Sequence, residues 1–341
     1  VFSLHSEFMS SDSTVVNRPV GDDREAFHPA NVWDAIVVGG GAAGLSAALM
    51  LGRARRSVLV IDGGEPRNRF AAHMHGVLGH DGRDPLDLLA KGRAEVAGYG
   101  GQVVSGTVAG VVEADDLLVV ETVAGHRVRS RTLVAATGIR DRLPDIPGLA
   151  ERWGRSVLHC PYCHGWEVRG RRFGVLATSA FSLHQAQLVR QWSDRVTYFD
   201  NGLGLLDADT RARLESRDIA IVLPAAVEVI GDGDAVTGVR TEDGRITAVD
   251  AIFTGGVLEP QDGYLGALAL PRTDGPVGSF LTVDPAGRTG HPRVWAVGNL
   301  VNPQATVPVA ISSGAMAGAQ INFALVSKEF DAAARSSAAV A

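Results

Sequence analysis

The most constraining stretch of this 341-residue chain is Asp34-Ala-Ile-Val-Val38-Gly39-Gly40-Gly41-Ala42-Ala43-Gly44. It prescribes a strand, a tight turn and a helix in immediate succession. Ala35–Val38 is a short apolar run of the kind buried in a parallel sheet, and Leu45 to Arg53 follows with helical character. A second apolar run, Ser57–Ile61, ends on Asp62, 18 residues after Gly44. In this βαβ context each glycine has a task. Gly39 makes the turn, Gly41 lets the backbone approach a pyrophosphate, and Gly44 lets helix and strand pack closely. The helix start at Gly41, Ala42 and Ala43 then faces the phosphates, and Asp62 stands where a ribose hydroxyl is accepted.

The pattern returns 138 residues further on without a gap: Val37 maps onto Val175, Val58 onto Val196 and Asp62 onto Asp200. Arg172–Leu176 reads as the strand and Ser182–Trp192 as the helix. The three glycines are replaced by Ala177, Ser179 and Ser182. A side chain forced into left-handed geometry there costs roughly 1–2 kcal/mol, where 1.4 kcal/mol is tenfold in affinity. Asp200-Asn201-Gly202 brings an acid and no basic residue for a 2′-phosphate. NADPH is therefore disfavoured, NADH remains open at weak affinity, and a purely structural role for this copy stays open too.

Only two cysteines occur, Cys160 and Cys163, in Cys160-Pro-Tyr-Cys163-His164. A zinc site lacks its second pair. A c-type haem attachment needs export, and Val1–Asn31 shows no basic-then-apolar signal. The pair reads as a redox dithiol with one thiol of depressed pKa. With no targeting signal the expected compartment is the cytoplasm, where such a pair is more often catalytic than structural. A formal charge of −6 argues against nucleic-acid binding. The apolar stretch Ala35–Leu51 is broken by glycines and too short to span a membrane. Residues 1–30 and 329–341 read as tails. His73, His75 and His80 cluster, but a flavin-side position suits them better than a metal, and no metal is expected.

Two further segments complete the pattern: Leu133-Val-Ala-Ala-Thr137-Gly138, and Trp295-Ala-Val297-Gly298-Asn299 ahead of a helix expected over about Val309–Leu325. Across roughly residues 32–328 the chain resembles the low-molecular-weight thioredoxin reductases. The resemblance implies an α/β fold of two Rossmann-like (three-layer ββα) dinucleotide-binding domains, the second inserted in the first. It places an FAD domain at 31–148 and 254–328 and a central dithiol domain at 149–253, and implies a homodimer. It also implies FAD contacts from Gly39, Gly41, Ala42, Ala43, Gly44, Asp62, Arg67, His75, Thr137, Gly138, Gly298, Asn299 and Val307. Cys163 would face the flavin and Cys160 would exchange with substrate.

Four departures stand out. His164 occupies the place of the family's Asp after the second Cys, Asn299 that of an Asp, and Thr306 that of a Gln. The nicotinamide-binding glycines and basic residues are gone. Cys160–Glu167 is more similar to the dithiol oxidases of disulfide natural-product pathways, which pass electrons through FAD to dioxygen. With an ordinary pKa near 6.5, His164 suits proton transfer at pH 7 better than an Asp. The partner would be a small-molecule dithiol or disulfide, or a thioredoxin-like protein. A reductase fed by NAD(P)H or ferredoxin and a non-catalytic redox-sensing flavoprotein are the other readings. Trp166 either packs beneath the disulfide or lines the entrance.

Overall fold

The computed structural model of the chain describes residues 26–28 and 30–340. The first unit runs β1 (Val32–Val38), α1 (Ala42–Arg53) and β2 (Val58–Asp62). Then come α2 (Pro85–Gly98), β3 (Gln102–Ser105), β4 (Val108–Ala114), β5 (Leu117–Thr122) and β6 (Arg127–Ala135). β3, β2, β1 and β6 lie parallel in that order, and β5–β4 extend the sheet antiparallel from β6. Ala35, Ile36 and Val37 are wholly buried, as an unbroken apolar strand covered on both faces requires.

After β7 (Ile139–Arg142) a second unit begins with β8 (Val157–Leu158), the short α3 (Pro161–His164), β9 (Phe173–Leu176), α4 (Phe181–Val189) and β10 (Val196–Phe199). It continues through α5 (Ala208–Glu215), β11 (Ala220–Val222), β12 (Ala226–Asp232), β13 (Ala235–Thr241), β14 (Ile246–Ala248) and β15 (Ala251–Phe253). β11, β10, β9, β15 and β8 make a five-stranded parallel sheet, and β12–β14 a small antiparallel one. The chain then returns through β16 (Val257–Pro260), which pairs with β7, and the hairpin β17 (Arg272–Gly275)–β18 (Gly278–Leu281). β19 (Val294–Ala296) joins the first sheet beside β6, and α6 (Val307–Val340) closes the chain. The repeat is visible in the strand pairing. Val37 sits opposite Val60, and Val175 opposite Tyr198.

α6 lies against α1 through a seam of small residues. A Cβ built at Gly314 would stand 1.9 Å from the Ala43 carbonyl oxygen, and one at Gly318 2.7 Å from that of Ala47. By length and apolar composition α6 resembles a membrane span, but Ala317, Ile321 and Leu325 are buried in the core it shares with α1.

Three expectations need correction. The helix expected to end near Leu325 continues to Val340, through the segment 329–341 read as a tail. Glu329 anchors it at the start of that segment, accepting hydrogen bonds from Arg56 (2.6 and 3.1 Å) and Arg131 (2.7 Å), the latter also paired to Asp34. Within the segment 1–30, Ala26 and Phe27 are buried, with Phe27 stacked on His126 at 4.5 Å. Residues 1–25 and 29 lie outside the described residues. Finally, none of Ala177, Ser179 and Ser182 adopts positive φ. The second turn avoids the left-handed strain by taking another shape.

The two arginines hold the Glu329 carboxyl down to about 2. Its contribution is therefore present above the ordinary carboxylate range and lost only as pH falls toward 2. Because the side chain is substantially exposed, Glu329→Ala is expected to cost under about 1 kcal/mol. Its effect is local: amide exchange in α6 beyond Ala324 should quicken while β1 and β6 stay protected, which hydrogen-exchange mass spectrometry reads directly.

Candidate active site

A single cleft of about 1340 Å³ runs from the β1–α1 turn, past Thr137, Gly138, Gly298 and Asn299, to Cys160, Cys163 and His164. It goes on to Phe181, His184 and Gln185 on α4. Its inner end has the form of a dinucleotide cradle. Gly39 has φ +104°, and a Cβ there would meet the Ala136 carbonyl oxygen at 2.5 Å. A Cβ at Gly44 would lie 1.9 Å from the Gly39 oxygen, whereas one at Gly41 would enter open space within the cleft. No side chain caps the start of α1. Its free amides at Gly41, Ala42 and Ala43 are donors for a phosphate.

Asp62 accepts the Gly40 and Gly64 amides on Oδ1 (3.0 and 3.1 Å) and Arg93 on Oδ2 (2.8 Å). Burial raises its pKa, but Arg93 and the two amides outweigh that and hold the carboxyl below its ordinary value. A carboxylate has about four acceptor positions, so one on Oδ2 remains for a ribose hydroxyl. The residues present thus fit FAD at this end.

Other expected contacts turn inward. Arg67 makes a bidentate pair with Asp141 (2.7 and 2.7 Å) and donates to the Pro303 carbonyl (3.2 Å), so the side chain ties three segments together. His75 lines the cleft but its ring nitrogens face Asp81 and Glu167. Thr137 donates to the Gln261 carbonyl (2.6 Å), and Gly138 takes φ +71°. Gly298 and Val307 line the cleft, with Gly298 close over Ala43. Asn299 donates its amide to the carbonyls of Asn302 (3.2 Å), Pro303 (3.2 Å) and Ala305 (3.0 Å). A carboxylate cannot donate, which accounts for Asn at a position where an Asp was the expected residue. Asn299→Asp should loosen the 302–305 loop and weaken FAD retention, measured as faster flavin release on dilution.

The dithiol sits at the start of α3. Pro161 is the first helical residue, and Cys160 precedes it in extended conformation. The sulfurs are 2.7 Å apart, with Cys163 donating to Cys160. That bond is the largest cause holding the Cys160 thiol down, to about 7. Burial opposes it, and the Cys163 and Tyr162 amides and the Arg67 charge assist. Cys163 is pushed up by the same hydrogen bond, by burial and by the Cys160 charge. His164 is lowered by burial, with Glu167 acting the other way. Tyr162 and Trp166 are exposed at 72% and 64%, and the Trp166 ring carries the Arg169 guanidinium at 3.9 Å, so it does not pack beneath the sulfurs.

Sequence reasoning passed over His159, which adjoins Cys160 and lines the cleft. Burial, then the Arg67 charge, keep it below its ordinary pKa, and Gln185 holds its backbone carbonyl (2.7 Å). Its adjacency to the dithiol was the available signal. Arg93 carried none.

In the second copy Ser182 is 4% exposed, and its hydroxyl accepts the Thr178 amide (3.1 Å). Ser179, Ala180 and Phe181 stand where the first copy offers Gly41, Ala42 and Ala43. Asp200, 3% exposed, accepts the Gly204 and Leu205 amides (2.8 and 3.3 Å), and Asn201 bridges Ala177 and Ala226. The Asp200 carboxylate closes its own turn.

An intact cradle for one dinucleotide, a degenerate copy of it, and a thiol pair in one cleft define a two-domain flavoprotein disulfide oxidoreductase. The model of the pyridine nucleotide-disulphide oxidoreductases matches residues 33–314. The chain is 32% identical to the thioredoxin reductase tcpT of Claviceps purpurea (84% of this chain, 92% of that one). It is 31% identical to the thioredoxin reductase sirT of Leptosphaeria maculans (90% and 98%). Among solved structures it is similar to HlmI (TM-score 0.86, 42% identity, 91% and 97% covered). It is also similar to an oxidoreductase from Agrobacterium tumefaciens (0.82, 37%, 87% and 99%). The chain belongs to the pyridine nucleotide-disulphide oxidoreductase family and, within it, to the thioredoxin reductase-like FAD enzymes.

The hydrogen-bonded thiol pair has a direct test. Alkylation of the reduced enzyme at Cys160 should be half-maximal near pH 7. Cys163→Ala removes the donor and should move that midpoint up by about one unit or more, toward the free-thiol value of ~8.5.

Proposed function

We propose that the protein is an FAD-dependent dithiol oxidase that closes a small-molecule dithiol into a disulfide through Cys160 and Cys163, with dioxygen as the final acceptor. The observation that carries this reading is Ser182. A Cβ at the matching Gly44 would strike the Gly39 oxygen, so a turn with serine there cannot keep the phosphate-cradling shape. Its hydroxyl takes the Thr178 amide, the part that Asp62 plays for the matching Gly40 amide in the first copy. Loss of that shape weakens a nicotinamide site here, while the thiol pair in the same cleft is complete.

In the oxidised enzyme a substrate thiolate attacks the Cys160 sulfur, and the Cys160–Cys163 bond breaks as the mixed disulfide forms. The second substrate thiolate attacks its partner sulfur, releasing the product disulfide and Cys160 as thiolate. A thiol whose pKa is held near 7 is a good leaving group for that step. His164, kept neutral at pH 7 by burial, accepts the substrate proton. FAD, when bound through Gly41–Ala43 and Asp62, supplies the two-electron link from the dithiol to the acceptor.

The test is an anaerobic titration of the flavin absorbance. NADPH and NADH should leave the yellow colour unchanged, dithiothreitol should bleach it, and air should restore it. Stoichiometric bleaching by NADPH would make the protein a reductase and sink the proposal. His164→Ala should lower dithiol turnover by about 10²-fold or more at pH 7. Wild-type activity should persist below pH 6.5, because burial lowers the imidazole's proton affinity.

A further inference from the structure

His75 lies between two carboxylates. Its Nδ1 is 3.3 Å from Asp81 Oδ2, and its Nε2 is 3.4 Å from Glu167 Oε1. Asp81 is anchored in turn by the Gly76 amide (2.8 Å). A neutral imidazole donates from one nitrogen only, so His75 can serve both acceptors as donor when it carries both ring protons. His75 comes from the loop between β2 and α2, whereas Glu167 follows the dithiol helix, 92 residues away. The contact joins the flavin-binding part of the chain to the dithiol segment.

Glu167 is placed to act on the chemistry. It lies three residues after His164 and four after Cys163, in turns that continue α3, the spacing that puts side chains on one face. The groups acting on His164 are Glu167 from its own segment, His75 from the facing loop and His159 at the end of β8. Arg67 adds positive charge at Cys160, Cys163 and His159. Of the three groups acting on His164, only Glu167 is an anion. Proton transfer from a substrate thiol turns a neutral imidazole into a cation in a buried position. A carboxylate held in place is what makes that transfer favourable.

We propose that Glu167, held by His75, is the positioning residue of the dithiol's acid–base machinery: it orients His164 and steadies the imidazolium formed as the substrate thiol gives up its proton. The proposal rests on His164 being the base.

The experiment is the pH profile of kcat/KM for dithiothreitol oxidation between pH 5 and 8, on holoenzymes with an unchanged flavin spectrum. Glu167→Gln should move the acidic limb down by about one unit, a tenfold loss of proton affinity at the base. Glu167→Asp should recover at least half of that shift, which a packing role would not do. In the His75→Asn background the Glu167→Gln shift should fall below half its full size, since the carboxylate is no longer held. An acidic limb that survives His164→Ala would overturn the base assignment and this proposal with it. A limb that is lost in His164→Ala but unmoved by Glu167→Gln would overturn this proposal alone. A full-sized shift in the His75→Asn background would remove His75 from it.

Discussion

The close crossing of α1 and α6 is the constraint on which the rest depends. Neither Gly314 nor Gly298 admits a methyl group against Ala43. This seam brings residues near position 40 and residues near position 300 to opposite lips of one cleft. Asn299 then holds the 302–305 loop at the lip, and Arg67 ties that loop to β7 through Asp141. Widening the crossing by one side chain would move all of these together. The dithiol, delivered by a separately folded sheet, finds the cradle only because both lips are fixed.

The two copies of the strand–turn–helix unit share strand register and yet diverge completely in chemistry. In the first, carboxylate and glycine leave amides free at the start of α1. In the second, Ser182 meets the Thr178 amide and Asp200 those of Gly204 and Leu205, all within the chain. The same backbone plan thus carries two different sets of internal hydrogen bonds. The second copy is close to the thiol pair, since Gln185 of α4 holds the carbonyl of His159.

Much of the fold was legible because it rests on backbone constraints that few residues meet. Gly39–Gly44 could be assigned to a cradle from the glycines alone, and the offset between Val37 and Val175 predicted the shared register. Cys160 and Cys163 were readable because no other cysteine competes with them. Side-chain partnerships between distant segments were not readable. Glu329, in an expected tail, is held in helix by Arg56, from the connection before β2, and by Arg131 of β6, both far back in the chain. Arg67 and His75 looked like cofactor contacts, but their polar atoms are engaged by Asp141, Asp81 and Glu167. The strain expected at Ala177 and Ser179 did not arise, since neither residue takes positive φ.

The serine that fills the second turn has a thermodynamic corollary. A domain that binds a dinucleotide in its native state gains stability by mass action, by an amount that grows with ligand concentration. The half built on β1 and α1 is of that kind. In the half built on β9 and α4 the Ser182 hydroxyl belongs to the chain, at an effective concentration that never changes. On the function proposed above, one half of the molecule is tuned by cofactor supply, and the half bearing the thiols has a stability of its own.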